Sequence, residues 1–324
     1  MFTLYLTNEN GSLDVTQLVS TVKWSGDKAS IARKLEVSML HSEREGWPVP
    51  EIGSVMTLTD KDGTLFTGYV VQRTLTSESS VLSIVCYDRG IYLKNNDGTY
   101  KFRKTSPESI CSTVCAERGI PVVEMASTGV LLDRKFSAVA LDKIIATAYT
   151  LASEQTGERY CIRMMPDGLQ VKLKEQSQSS LNLRPKSNLI EASTTESIIN
   201  MVNSVAIYDE QGSLLQVMDD GAAVDLYGQM QRHITQRTGV DAPAQARAML
   251  EDGALEQAVT VDVLGDRRLI TGETVVVMED NTGLQGVFWI DADVHTWSRS
   301  TYKCRLTLNC RSVMAKTTAG SELT

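Results

Sequence analysis

Short runs of alternating apolar and polar residues dominate the first 95 positions of the chain, and turn residues separate these runs. Residues 55–59 and 65–71 alternate on either side of a turn at residues 60–63, and this arrangement predicts a β-hairpin. Residues 81–87 alternate again before Asp88, Arg89 and Gly90. We therefore predict a small antiparallel barrel or sandwich for residues 1–95.

The hydrophobic period changes in the middle of the chain. Ser106, Pro107 and Glu108 are typical of a helix start, and this helix is expected to end at Gly119. Apolar residues then recur at spacings of three and four between positions 141 and 152, which predicts a second, amphipathic helix. Residues 160–174 follow as a hairpin around Pro166, Asp167 and Gly168. We assign residues 96–186 to an α+β domain that ends in a polar linker.

The last part of the chain returns to the strand pattern. Residues 202–208 and 214–218 flank a turn, a short alanine-rich helix is expected at about 241–257, and residues 259–313 read as strands. Disorder is expected only at residues 317–324. Residues 187–324 are thus predicted to be a second barrel with a short helix.

Two segments of the chain share one plan. Residues 53–71 and 272–290 each contain a glycine, an apolar strand, an acidic turn that ends in glycine, and a second strand. Each is followed by a polar stretch and a further alternating strand, at 81–87 and 302–310. Two related barrels would explain this similarity, and two ordinary, unrelated β-meanders are the alternative. The predicted fold class is β-rich α+β.

Composition narrows the functional classes. The 324 residues are 42% hydrophobic and carry a net charge of −8, which argues against binding to nucleic-acid phosphates. No apolar run approaches the length that crosses a membrane, and no signal peptide is apparent. The six cysteines are scattered through apolar neighbourhoods, as reduced core residues in a cytoplasm would be.

Sites for catalysis, cofactors and metals are not evident in the sequence. The three histidines have no His or Cys at ligand spacing, and nucleophile-elbow and phosphate-loop motifs are absent. Two weak alternatives remain. Asp291 and Asp293, or Glu43 and Glu45, could form the carboxylate pair of a hydrolase, and the Trp289 and Trp297 face could bind a glycan.

Several short segments resemble, in the same order, the baseplate hub proteins of contractile phage tails and phage-tail-like bacteriocins, the late control protein D-like tail hub family. These segments are residues 22–27 (VKWSGD), 32–36 (ARKLE), 87–93 (YDRGIYL), 106–108 (SPE), 119–121 (GIP) and 155–160 (QTGERY). The resemblance covers almost the whole chain and implies a non-enzymatic structural subunit. It also implies two tube-like barrels with an inserted α/β portion.

The resemblance further implies a homotrimer whose six barrels form a ring, which joins a six-fold tail tube to a three-fold central spike and lines the conduit. The expected partners are the chain itself, the tail tube protein, the spike, other baseplate proteins and the tape measure protein, without cofactors and without specific nucleic-acid or membrane binding. The expected location is the virion or tail-like particle, after synthesis in the bacterial host cytoplasm. We expect subunit contacts around Trp24, Arg33, Glu36 and Trp289. The alternatives are a cell-wall binding module and a peptidoglycan hydrolase.

Overall fold

A computed structural model describes residues 2–9, 11–44, 46–174, 181–236, 242–298 and 301–323. The helices are α1 (Gly90–Lys94), α2 (Pro107–Glu117), α3 (Leu141–Thr156), α4 (Gly221–Tyr227) and α5 (Ala242–Asp252). The strands are β1 (Phe2–Asn8), β2 (Gly11–Asp14), β3 (Val19–Asp27), β4 (Lys34–Leu40), β5 (Val55–Asp60), β6 (Gly63–Thr74), β7 (Val81–Tyr87), β8 (Asp97–Thr105), β9 (Val122–Met125), β10 (Leu132–Ala140), β11 (Tyr160–Met165), β12 (Gly168–Leu173), β13 (Asn182–Leu183), β14 (Leu189–Ser197), β15 (Ser204–Tyr208), β16 (Leu214–Asp219), β17 (Gln231–Thr235), β18 (Glu256–Leu264), β19 (Thr274–Glu279), β20 (Leu284–Ser298), β21 (Thr301–Asn309) and β22 (Ser321–Glu322).

The main sheet has the strand order β14-β18-β21-β20-β3-β4-β7-β6-β5-β1-β2, with β19 on β20 and β13 on β19. At its centre, the second half of β20 pairs antiparallel with β3, and Val294 lies opposite Ser25. Alternating side chains of these strands fill the core, as the period-two pattern predicts. The predicted β-rich α+β fold class is confirmed.

Two compact units divide the chain. The first unit comprises residues 1–192 and 260–324, and the second unit comprises residues 193–259. The three domains expected at 1–95, 96–186 and 187–324 stay a prediction.

The described part of residues 96–186, which we call the insertion, packs helices α2 and α3 against two small sheets. These sheets are β22-β10-β8, which the C-terminal strand β22 joins, and β11-β12-β9. Helix α2 begins at Ser106, whose hydroxyl accepts the amide hydrogen of Ser109 at 3.2 Å. Helix α3 ends at Gly157, whose φ of 78° gives the left-handed cap that glycine adopts without strain. The two predicted helices and the hairpin of β11 and β12 are confirmed.

The C-terminal segment is ordered up to Leu323, so the expected disorder from residue 317 is wrong for the described part. Strand β22 pairs with β10, and the Arg134 guanidinium donates to the carbonyl oxygens of Ala319 and Gly320 at 2.8 and 3.2 Å. Met314 packs against the core of the insertion. Tertiary contacts therefore order a segment that is too polar to predict from its own sequence.

The second unit contains the sheet β16-β15-β17, in which β15 and β16 form the predicted hairpin and β17 pairs parallel to β15. Helix α5 covers this sheet by packing Ala242 and Ala246 against Val205 and Ile207. The helix ends at Asp252 rather than near 257, because Gly253 follows it and strand β18 begins at Glu256. Residue 241, where the prediction began the helix, lies outside the described residues.

The similarity between residues 53–71 and 272–290 is confirmed in backbone geometry. Gly53 and Gly272 have φ angles of 90° and 92°. The Gly53 amide donates to the Val70 carbonyl and the Gly272 amide donates to the Ile290 carbonyl, both at 2.9 Å. A bulge then follows in each strand, at Val71 in β6 and at the matching residue 291 in β20. The strand order β3-β4-β7-β6-β5 thus recurs as β14-β18-β21-β20-β19.

Candidate functional site

A buried ion pair lies where β20 pairs with β3. The Arg33 guanidinium, which is 3% exposed, binds both carboxylate oxygens of Asp293, with Nη1 to Oδ1 at 3.1 Å. The amide and hydroxyl of Thr271 donate to Asp293 Oδ1 at 2.7 and 2.6 Å. Burial alone would raise the pKa of Asp293, but the charges of Arg33 and His295 and their hydrogen bonds to the carboxylate hold the pKa well below its usual range.

Three neighbours position the Arg33 side chain and backbone. The guanidinium lies over the Trp24 ring at 4.0 Å from its centroid, and the Arg33 amide donates to Asp88 at 2.8 Å. Burial raises the pKa of Asp88 to about 7, against the opposing effect of its hydrogen bonds from the Arg33 and Gly90 amides. At Gly26, an added Cβ would lie 2.2 Å from Arg33 Nη1, so glycine leaves the room that the guanidinium occupies.

His295 extends this group along β20. Its Nε2 lies 3.0 Å from the Leu269 carbonyl oxygen and 3.3 Å from Asp293 Oδ2, and its Nδ1 lies 2.8 Å from the Tyr302 hydroxyl and 3.1 Å from Cys304 Sγ. Burial disfavours the imidazolium, but interactions with Asp293 and Cys304 outweigh this and raise the pKa of His295 to about 9. The imidazolium is therefore the form that this environment favours.

Arg163 of β11 connects the insertion to the residues just before β19. Its guanidinium donates to the Thr271 carbonyl at 2.7 Å and to Glu273 at 2.6 Å. Between these acceptors lies Gly272, where an added Cβ would meet Cys161 Sγ at 2.3 Å. The start of β4, the insertion and the strand pair β19–β20 thus meet through buried charges, and we call Arg33, Arg163, Thr271, Asp293 and His295 the joint.

The joint has the chemistry of a structural contact. Cys304, His295 and Asp293 follow one another as a nucleophile, base and orienting carboxylate would, but each is at most 1% exposed, so a substrate has no access to them. The carboxylate pair of the hydrolase alternative is also occupied, because Asp293 binds Arg33 and Asp291 binds Lys28 at 2.5 Å. Glu45 lies outside the described residues.

The tryptophan face of the glycan-binding alternative is buried. Trp289 and Trp297 are 4% and 5% exposed, and Trp297 stacks on Tyr302 with the ring centroids 4.3 Å apart. A glycan platform requires exposed aromatic faces, so these two side chains act as core residues.

The four residues expected at a subunit contact do not share one surface. Trp24, Arg33 and Trp289 are each at most 4% exposed, and Trp24 and Arg33 meet in the joint. Glu36, on β4, is half-exposed and pairs with Lys34 at 2.9 Å. Contact of these residues with another subunit stays a prediction, and Glu36 is the one of the four with substantial free surface.

The described residues form neither a metal-binding cluster nor a membrane-spanning helix. No group of three or more His, Cys, Asp or Glu side chains in this part of the chain is placed to hold a metal ion. Among the same residues, no helix combines the length and apolarity needed to span a bilayer.

Comparison with known proteins places this architecture in a family. The model of the family described as YQBQ-like matches residues 22–309. The chain belongs to the YQBQ-like family. Protein YqbQ of Bacillus subtilis (strain 168) is 21% identical over 325 residues, which cover 93% of this YQBQ-like chain and 94% of that protein.

Solved structures share the fold of this YQBQ-like chain. The 43 kDa tail protein of prophage MuSo2 from Shewanella oneidensis aligns with a TM-score of 0.73 at 12% identity, covering 94% of this chain and 97% of that protein. The tail protein from Neisseria meningitidis MC58 aligns with a TM-score of 0.68 at 17% identity, covering 95% and 96%. The chain therefore has a fold that tail proteins also have.

Proposed function

We propose that the chain is a structural baseplate hub subunit of a contractile tail or phage-tail-like particle. The fold that it shares with two tail proteins supports a structural role in a tail. The ordered segments that resemble baseplate hub proteins support the more specific assignment to a hub. One observation carries the proposal furthest, namely the free strand edges that the internal repeat leaves.

The two repeats pair through one strand from each, and the two equivalent strands on the other side do not pair within the chain. Within the chain, residues 292–298 of β20 pair with β3. The strands that correspond to β20 and β3 in the other repeat are β6 and β14. Among the described residues, Gln72–Thr74 of β6 pair on one side only, with β7, and β14 ends the main sheet. A copy that places its β14 beside β6 of the next copy would repeat the internal pairing and cover both edges.

Alternation of internal and intermolecular pairing gives a ring. Three copies with two barrels each supply six similar barrel positions, which matches a six-fold tail tube on one side and a three-fold spike on the other. In this proposal the ring lines the conduit, the tail tube and central spike proteins bind its two faces, and other baseplate proteins and the tape measure protein are further partners. Its location is the virion or tail-like particle.

The solution mass of the full-length chain tests this function. We expect light scattering over a concentration series to show a species of about three times the chain mass of 35.6 kDa, alone or on addition of the tail tube protein. Leu75 follows β6 and is 46% exposed, so Leu75→Asp should abolish the large species, whereas Leu131→Asp, at an exposed residue of the insertion, should not. A mass that stays at one chain under every condition contradicts the proposal.

A further inference from the structure

We propose that the free edge of β16, in the second unit, binds an extended segment rich in lysine and arginine from another protein, which adds to the sheet β16-β15-β17 as a further strand. This inference concerns a surface separate from the barrel edges β6 and β14, and it does not depend on the ring. Three observations carry it: an unpaired strand edge, exposed apolar side chains on that strand, and a concentration of negative charge.

The backbone of β16 offers a strand to pair with. Within the described part of the chain, β16 pairs with β15 alone and is the outermost strand of its sheet. Its pairing with β15 is regular from Gln216 to Asp219, after a bulge between positions 216 and 214. An edge of this kind presents unpaired amide and carbonyl groups, which an extended segment of another protein can satisfy.

The side chains of β16 are unusually apolar for an exposed strand. Leu214 and Leu215 are each 55% exposed and Val217 is 41% exposed. Edge strands of soluble proteins commonly carry lysine, which opposes pairing with other chains, but β16 carries none. An added strand lies beside β16, and its side chains would bury part of these three apolar side chains. This burial would stabilise a complex.

The charge of the second unit indicates the chemistry of the partner. Residues 193–259 contain ten acidic and three basic residues, a net charge of −7 in a chain whose total is −8. Between Lys186 and Arg232 there is neither lysine nor arginine, whereas seven carboxylates lie in this interval. Glu210, Asp219 and Asp225 among them are exposed beside or near β16. A strand with lysine or arginine among its apolar residues complements this surface.

The same charge opposes pairing of β16 with β16 of a second copy. Two such edges would bring two units of net charge −7 together, and like charges across an interface cost free energy. The occupant that the surface fits is a segment of a different, basic protein.

A synthetic peptide of alternating lysine and valine, blocked at both ends and labelled with fluorescein, is the probe for this edge. We expect its fluorescence anisotropy to rise on titration with the full-length chain, and the affinity to fall at least tenfold when glutamate replaces lysine. A second peptide with the lysine sequence, N-methylated at every residue, cannot donate backbone hydrogen bonds along either edge. Tenfold weaker binding of that peptide indicates strand addition, since the protein itself is unchanged.

Matched variants locate the binding site. Val217→Lys places a positive charge on the edge and should weaken binding of the lysine peptide at least tenfold. Ile199→Lys makes the same charge change at a residue of the second unit that is 88% exposed and outside β16, and it should leave the affinity within twofold. The proposal is overturned if no peptide binds, if the glutamate peptide binds equally well, or if both variants behave alike. A change in the solution mass of the chain in Val217→Lys alone would identify β16 as a contact between copies and also overturn it.

Discussion

Asp293→Ala lowers the free energy of unfolding of the first unit by about 3–5 kcal/mol, the largest effect that we expect from a single substitution in the joint. The alanine leaves the Arg33 guanidinium buried without its carboxylate, and it removes the acceptor for the amide and hydroxyl of Thr271. Denaturant unfolding followed by tryptophan fluorescence measures the change, because all four tryptophans lie in the first unit.

Asp262→Ala is the matched control. Asp262 also receives two hydrogen bonds from one guanidinium, that of Arg305, both at 2.7 Å, but this arginine is 65% exposed. Water screens such a pair, so the expected loss is about 1 kcal/mol or less. Combination of Asp293→Ala with Arg33→Met should recover part of the loss, because the double variant no longer buries the Arg33 charge without its carboxylate. Equal effects of the two single alanine substitutions would mean that the buried pair does not hold the joint.

Stability of the first unit should fall as pH rises from 6 to 8, by about 2 kcal/mol from His295 alone. The folded-state pKa of about 9 exceeds the ordinary value of 6.5, so the folded protein binds the proton more tightly than the unfolded chain. The stabilisation is complete below pH 6.5 and is lost as pH rises toward 9. Denaturant unfolding at a series of pH values measures the slope.

His295→Gln should remove the His295 part of this slope and lower stability at pH 6, whereas the raised pKa of Asp88 should keep a smaller fall in stability over the same pH range. His233→Gln replaces an exposed histidine of β17 in the second unit, and it should leave the slope unchanged. The lowered pKa of Asp293 affects stability at acidic pH. Its contribution stabilises the fold above about pH 4, and this stabilisation is lost as the pH falls below that value. Equal slopes of the wild-type chain and of His295→Gln between pH 6 and 8 would mean that His295 is neutral in the fold.

Local pattern was sufficient for the hairpins. Strands β5, β6, β7, β11 and β12 lie where alternation and turn glycines predict them, because neighbours in sequence are also neighbours in the sheet. The repeat was visible for the same reason, since Gly53 and Gly272 mark a backbone conformation that favours glycine.

The joint could not be predicted from local pattern. Residues 292–298 of β20 leave β19 and pair with β3, across a sequence separation that no periodicity encodes. The sequence pattern placed Arg33 at a subunit contact and Asp293 in a carboxylate pair that most often forms a solvated strand edge, and only their pairing makes them buried residues. The run Asp293-Val294-His295 inside a long apolar strand was the available signal, because charges on the inward face of a strand need partners.

The placement of the tryptophans shows the same limit. Trp24 and Trp289 are apolar anchors in the sequence, and aromatic residues are common both in cores and at interfaces. The structure places both side chains in the interior of the chain. Residues that remain free for another copy are on the strand edges, which are defined by sheet order rather than by residue type.

Disulfide cross-linking of β6 to β14 tests the ring most directly. In a Cys310→Ser background, which removes the exposed native thiol, Arg73→Cys is combined in turn with cysteine at Thr194, Thr195 and Glu196. The account predicts that mild oxidation links the chains of at least one pair into dimers and closed trimers, and that Arg73→Cys with Lys101→Cys, in the insertion, gives neither. Chains that remain single for every pair, under conditions where the light-scattering mass is that of a trimer, would contradict pairing of these two edges.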